Sequence, residues 1–426
     1  MLDKNADMII ETLVNNRFEA FYVGGCVRTV VHNSEHNDSL PIKDFDIVTN
    51  ASYDDMAKMF KYIEDRGESF NVAVVKMNGE EYEVARYRGE TYPEGGSTRP
   101  DEVFNVDTLE EDLLRRDFKM NGLVINKDGL IIDHVGGLDD IKNKVVSTIG
   151  DPNKRFSEDP LRILRAIRFV SQLGYNIEEY TLEAMIKNIH LVSTIPHSRI
   201  EGEFSKIIKS KHSKKALVLL REIHQISGQI TFKNTILNKK VSLLPSVFSL
   251  SLGEFNEVVE GVDNCSDSLE FFHHLYRYYF NEDLVEEELT NMQLTTNEII
   301  TNIKLLVRNK SLLAHLNQSR ESLLKFVREI KGQNEREVFN KFLEIYTKAY
   351  KNINFDNLKT IKCSLFIKEL PYNGRDVMNE GLKMGYNIQG KMVGEILELG
   401  REKSVLGEKY DLDHILGLIK NRLDVI

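Results

Sequence analysis

The stretch from Phe21 to Thr49, FYVGGCVRTVVHNSEHNDSLPIKDFDIVT, constrains the chain more than any other. Phe21-Tyr22-Val23 is a short apolar run with strand preference, Gly24-Gly25 follows at once, and Cys26 to Val31 can open a helix. Strand, glycine turn and helix start together suit a polyphosphate. Glycines let backbone N–H groups approach, the helix N-terminus adds partial positive charge, and Arg28 can fork onto phosphate oxygens. Further on, Lys43 to Thr49 reads as a strand whose alternation puts Asp44 and Asp46 on one face, about 7 Å apart. Two carboxylates so placed repel each other unless a cation joins them. Mg²⁺ fits, because it is held by one or two carboxylates plus substrate phosphates. An exposed edge strand with solvated acids is the plainer alternative, and the glycine turn beside it favours the metal.

Two later blocks extend the pattern. Arg115 to Leu123 reads RRDFKMNGL, and Glu158 to Phe169 reads EDPLRILRAIRF. With the first stretch, they resemble, in chain order, the GGxVRD…DxD, RRDFTxNA and EDxxRxxRAxRF motifs of the class II tRNA nucleotidyltransferase and bacterial poly(A) polymerase superfamily. The resemblance implies template-independent addition of CMP, CMP and AMP to the 3′ end of tRNA from CTP and ATP. It implies two Mg²⁺ ions on Asp44 and Asp46, with the triphosphate on Gly24, Gly25 and Arg28. Arg116 then faces the ribose or phosphates, and Asp117 braces the site. Glu83 stands where the family carries a glutamate and is a candidate third catalytic carboxylate. A poly(A) polymerase shares the head motifs but is expected to carry a short basic C-terminal extension; a CC- or A-adding enzyme, or an inactive RNA-binding scaffold, are the other readings.

Glu158 to Phe169 reads as one amphipathic helix with Asp159, Arg162 and Arg165 at i, i+3 and i+6. A carboxylate only accepts hydrogen bonds and a guanidinium only donates. Asp159 with Arg162 therefore satisfies the amine and ring acceptor of cytosine or adenine, whereas uracil and guanine would leave groups unpaired at roughly 1–3 kcal/mol each. Arg165 and Arg168 are expected on phosphates or holding this reader in place.

Elsewhere the pattern predicts a helix before Phe21, a β-hairpin turning at Asn78-Gly79, and another turning at Lys127-Asp128-Gly129. His32 to Ile42 reads as an exposed loop, in which a metal site on His32 and His36 is disfavoured. Arg88 to Val106 reads as a mobile loop, and its Arg99-Pro100-Asp101 resembles the family's basic–acidic flexible-loop element. Ser198 reads as an N-cap. Thr29 stands where the family has Asp, so bracing of Arg28 is expected to be weaker or rebuilt from the loop after it. Near the C-terminus, LPYNGRDV and GLKMGYNIQGKMVGEIL resemble the family's tRNA-gripping tail, with Tyr386-Asn387 in place of Gly-Pro.

The net charge of −10 looks wrong for an RNA binder until its distribution is read. Between Lys206 and Lys240 stand nine Lys or Arg against one acid, Glu222; between Glu254 and Glu298 stand twelve acids against Arg277 alone. Screening confines each charge to about 10 Å, so a local basic face can hold a phosphate backbone. Cys26, Cys265 and Cys363 are widely spaced and suit reduced thiols in a cytoplasm. No apolar run approaches a membrane span, and the acidic N-terminus lacks a signal peptide's basic start. The expected fold is α+β: a small mixed-sheet nucleotidyltransferase head over 1–150, a helical neck with the base-selecting helix over 151–215, a helical body over 216–350 and a helical tRNA-binding tail over 351–426. Nothing in the sequence fixes an oligomeric state.

Overall fold

The computed structural model describes residues 2–65, 72–93, 96–228, 230–234, 237–265, 267–276, 281–308, 370–405 and 408–422. Helices expected within 309–369, together with Arg277 and Cys363, lie outside the described residues. The chain divides into two compact units, Met1–Ser268 with Asn291–Leu294, and Leu269–Thr290 with Thr295–Ile426.

The first unit opens with α1 (Lys4–Asn15), whose Ala6, Ile9, Ile10 and Leu13 are buried at helical spacing, and whose Asp3 caps the N-terminus. Then come β1 (Ala20–Val23), α2 (Gly25–His36), β2 (Asp46–Thr49), α3 (Tyr53–Met59), β3 (Ile63–Asp65), β4 (Val72–Met77) and β5 (Glu80–Arg86). They are followed by β6 (Arg88–Thr91), β7 (Glu102–Asn105), α4 (Leu109–Leu114), β8 (Leu123–Ile125), β9 (Ile131–Asp133) and α5 (Gly137–Asn143). Seven strands form one sheet in the order β3-β4-β5-β2-β1-β8-β9. It is mixed because β2 runs parallel to β5 while its other pairs are antiparallel. Val23, Val48 and Val124 meet Leu109 and Leu113 of α4 in one buried cluster.

Both expected hairpins form. Asn78 and Gly79 have φ of 52° and 87°, the left-handed pair a type I′ turn needs. Asp133 accepts from the backbone N–H groups of Val135, Gly136, Gly137 and Leu138, and so fixes the entry to α5.

Several sequence expectations change. The segment from His32 to His36 is the last part of α2, not loop. His32 is 4 % exposed and is hydrogen-bonded to the Tyr175 hydroxyl at 2.7 Å, and His36 Nε2 donates to the Ile141 carbonyl at 2.8 Å, so tertiary partners extend the helix. Arg88 to Val106 is not an open loop: β6 and β7 pair as an antiparallel hairpin, Arg88 opposite Asn105. The third change is that Glu158 to Phe169 is not one helix. It is the end of α6 (Pro152–Glu158) and most of α7 (Leu161–Leu173). Asp159 has φ of −132°, because Pro160 excludes the helical conformation for the residue before it.

The rest of this unit holds β10 (Val145–Val146), paired in parallel with β11 (Asn176–Ile177), then α8 (Glu179–Asn188), α9 (His197–Ile208) and α10 (Ser213–Ser227). Helix α9 starts at His197 after Pro196, without a side-chain cap, so Ser198 lies inside the helix. The part after the head is also not wholly helical: β12 (Thr231–Asn234) and β13 (Lys239–Ser242) form a further antiparallel hairpin. In the second unit, the helices Gly374–Lys383, Lys391–Val405 and Leu412–Ile419 enclose a small core in which Tyr386 is 7 % exposed.

Candidate active site

A cleft of about 530 Å³ opens in the first unit, with Gly24, Gly25, Asp46 and Arg116 among its lining residues, together with Asp159 and Arg162. Sheet register builds one end of it. β1 pairs with β2 so that Asp46 stands directly opposite Val23, the residue before the glycine turn. Gly24 has φ of +75°, and a Cβ on it would sit 3.7 Å from the Asp46 carboxylate. The turn and the acid therefore share one small space. In the parallel β2–β5 pair, Ile47 aligns with Val84 and both are buried. Asp46 and Glu83 precede that pair by one residue on each strand and so share the other face.

Burial pushes the Asp46 carboxyl above its ordinary range, Glu83 and Asp44 add to the push, and Arg116 opposes it. Asp44, however, lies before β2 and is exposed, so the expected strand alternation does not place it. Among the described residues no group of three ligating side chains is already gathered for a metal. The donor set fits a cation held by carboxylates and substrate phosphates jointly, which is how Mg²⁺ binds, and not an all-protein cage. Glu83 and Asp44 stand outside the lining of the cleft proper.

Among the described residues Arg28 has no acid within ion-pair distance. Its Nη1 donates to Asn121 Oδ1 at 2.6 Å, and its guanidinium lies 5.0 Å from the Phe169 ring centroid. Burial and the nearby Arg168 lower its pKa to about 10. Thr29 Oγ1 donates to the Gly25 carbonyl instead. The brace for Arg28 therefore comes from Asn121 and Phe169, and not from the segment after α2. Asn121 in turn donates to Asp117, which also accepts from Arg165 Nε and Nη2 at 2.8 and 2.5 Å. Arg165, the Phe118 N–H and Asn121 hold Asp117 well below the usual carboxylate range although burial alone would raise it. Asp117 thus ties Asn121 to Arg165. Arg168 pairs with Glu203 of α9 at 3.1 Å and stacks on Phe169 at 4.5 Å.

At the other end, Asp159 caps the turn into α7, Oδ1 accepting from the Leu161 N–H at 3.0 Å. Burial raises its carboxyl pKa; Arg162, the Leu161 N–H, Arg165 and Arg199 oppose that rise. Arg162 is 5 % exposed. Its Nη1 donates to Glu158 Oε2 and the Arg155 carbonyl, both at 3.2 Å, its Nη2 donates to the Arg115 carbonyl at 3.0 Å, and Tyr92 lies under it at 5.6 Å. These bonds take three of its five N–H groups and fix the guanidinium.

The β6–β7 hairpin walls the cleft. Glu90 pairs with Arg115 at 2.8 Å and Arg88 at 3.3 Å, and Ser97 N–H donates to the Glu158 carbonyl at 2.9 Å. Arg99 and Asp101 are exposed at its tip and do not line the cleft. Asp112, fully buried, accepts from both Arg115 and Arg116, a clamp legible as i,i+3 and i,i+4 spacing in LEEDLLRR. Glu90, Tyr92 and Arg199 carried no local signal. Of eight arginines lining the cleft, six have a carboxylate within ion-pair distance; among the described residues Arg28 and Arg199 have none.

Phosphate donors at one end and a fixed donor–acceptor pair at the other are what binding a nucleotide by its two ends requires, and the class defined by this head is the nucleotidyltransferase. The model of the "Poly A polymerase head domain" matches residues 20–147, and that of the "Probable RNA and SrmB-binding site of polymerase A" matches 174–225. The CCA-adding enzyme of Lactobacillus helveticus (strain DPC 4571) is 32 % identical over 298 residues, 66 % of this chain and 72 % of that one. The chain belongs to the CCA-adding enzyme family. The CCA-adding enzyme of Geobacillus sp. (strain WCH70) is 42 % identical over 214 residues, 50 % of this chain; the match spans 51 %, about half, of that relative's length. The crystal structure of the Bacillus stearothermophilus CCA-adding enzyme in complex with CTP superposes with a TM-score of 0.71, at 25 % identity and over 98 % of both chains. Among the described residues no helix is long and apolar enough to cross a membrane.

Proposed function

We propose that this chain adds CMP, CMP and AMP to the 3′ end of tRNA, drawing on CTP and ATP and releasing pyrophosphate. The observation that carries the reading is the register that sets Asp46 against the Gly24 turn, at the mouth of an arginine-lined cleft. The solved relative bound to CTP supports the nucleotide assignment.

The backbone of Gly24 and Gly25 and the guanidinium of Arg28 hold the triphosphate, and Arg116, fixed by Asp112, faces the ribose or phosphates. Asp46 with Asp44 would hold Mg²⁺, which supplies charge neutralisation at the transferring phosphate, and Glu83 adds a third negative charge there. The tRNA 3′-hydroxyl attacks the α-phosphorus, the bond to the β-phosphate oxygen breaks, and pyrophosphate leaves. Asp159 accepts from the exocyclic amine of cytosine or adenine while the two remaining N–H groups of Arg162 donate to the ring acceptors. Uracil and guanine present an acceptor to Asp159 and are refused. Arg99 and Asp101 serve the hairpin tip, and residues 1–150, 151–215, 216–350 and 351–426 divide into head, neck, body and tRNA-binding tail. The setting is the cytoplasm.

The test is incubation of the purified protein with labelled CTP and ATP and a tRNA lacking CCA, with the products sequenced. Three added nucleotides, C, C and A, are expected, and Asp46→Ala should lose at least about a thousandfold in rate, since the developing charge loses its partner. A run of A beyond one residue would point to a poly(A) polymerase, and CTP binding without any extension would overturn the reading.

A further inference from the structure

The β12–β13 hairpin, absent from the sequence expectation, carries three exposed lysines. Phe232 and Val241 are 1 % and 6 % exposed and anchor it inward. Its register sets Lys233 directly opposite Lys240, and Asn234 opposite Lys239. All three lysines are exposed. Like charges facing across a strand pair repel and destabilise it. Among the described residues no carboxylate lies within ion-pair distance of any of the three.

The hairpin cannot relieve that repulsion by swinging away. Asn234 is fully buried, donates to the Asn291 carbonyl at 2.8 Å and to Gln293 Oε1 at 3.0 Å, and accepts from the Leu237 N–H at 2.9 Å. The lysines are thus held on a fixed support. They close a sequence run, Lys206 to Lys240, whose only acid is Glu222. A small anion would need a pocket, and Lys233 with Lys240 on one face of the pair and Lys239 on the other form none, whereas an extended polyanion can reach all three.

We propose that the β12–β13 hairpin contacts the phosphate backbone of the RNA substrate, outside the matched RNA-binding segment 174–225. The proposal rests on the tRNA reading given above. Ammonium groups on phosphates position RNA and carry no sequence information, so the contact should serve all tRNAs alike.

The experiment measures tRNA binding against salt for the wild type, for Lys233→Gln/Lys239→Gln/Lys240→Gln and for the matching triple Lys→Arg variant, with CTP binding in the absence of RNA as the folding control. The Gln variant should keep CTP affinity, bind tRNA roughly tenfold more weakly at low salt and lose about two from the slope of log affinity against log salt. The Arg variant should restore both. Unchanged tRNA affinity and slope in the Gln variant would overturn the hairpin proposal alone, as would a loss confined to anionic lipid vesicles. A wild type that binds no tRNA would sink the underlying reading instead. Should the triple variant fail to bind CTP, the single Lys240→Gln carries the same comparison, with a slope change of about one expected and none overturning.

Discussion

Arg162 and Arg199 line the same cleft but stand in opposite positions energetically. Arg162 spends three N–H groups on the Arg155 and Arg115 carbonyls and on Glu158, so it is part of the protein's own framework. Arg199, the third residue of α9, meets the positive end of the helix and has no acid within ion-pair distance among the described residues. Replacing each by Gln should separate the two roles. Arg162→Gln takes its donor from the Arg115 carbonyl and one from Glu158, and should lower thermal stability, by roughly 1–3 kcal/mol, as well as nucleotide selection. Arg199→Gln should leave the melting temperature within a degree or two, since among the described residues it makes no ion pair and acts on Asp159 at longer range, yet raise KM for CTP or ATP several-fold. Equal losses of stability in both variants would refute this distinction. The same scale explains Thr29: with a carboxylate missing there, Asn121 supplies the acceptor for Arg28 from elsewhere in the head.

At the scale of elements, the break at Asp159-Pro160 decides how a base could be read. A continuous helix would have carried Asp159 along its side; the break sets it at the entrance to α7, and the hairpin seals the break from outside. Gly96 is the point of contact, with φ of +79° and a would-be Cβ 2.2 Å from the Ser157 carbonyl oxygen. Gly96→Ala should unseat the hairpin and cost at least about tenfold in turnover, from strain of roughly 1–3 kcal/mol. Gly79→Ala is the control: its φ is +87° but nothing lies within 4 Å, so it should weaken the β4–β5 turn without touching nucleotide selection. Helix α5 offers a pH test. Asp140, 8 % exposed, accepts from the Ser147 hydroxyl and N–H, and burial raises its pKa to about 6. A carboxyl raised on folding stabilises while protonated, so its contribution is complete below about pH 4 and is lost as pH rises through about 6. Stability measured by urea unfolding from pH 4.5 to 7.5 should therefore fall for the wild type relative to Asp140→Asn, by on the order of 1.4 kcal/mol for each pH unit crossed below about 6. Parallel curves would show that Asp140 titrates normally.

For the whole molecule, charge segregation matters more than the total of −10. Bases collect from Lys206 through α10 to the β12–β13 hairpin, and acids follow from Glu254 onward, so a phosphate backbone on the basic segment would meet a local field and not the average. Raising salt from about 50 to 200 mM should weaken tRNA binding by tenfold or more while CTP affinity, which depends on a few buried contacts, changes much less. Comparable losses for both ligands would argue against an extended basic surface. The sequence by itself determined the glycine turn, the strand that carries Asp46, the Asn78-Gly79 hairpin and the two arginine blocks, because each rests on neighbours close in the chain. Only the tertiary structure decided that Asp46 faces Gly24, that Glu90 and Tyr92 return to meet Arg115 and Arg162, and that Asn121 holds Arg28. Those pairings join residues 22 to 93 positions apart, through sheet register and long-range hydrogen bonds, and no local propensity encodes them. The turn at Asp159-Pro160 lay between the two cases: Pro160 was visible from the start, and its conformational restriction outweighed a helical pattern that read as continuous.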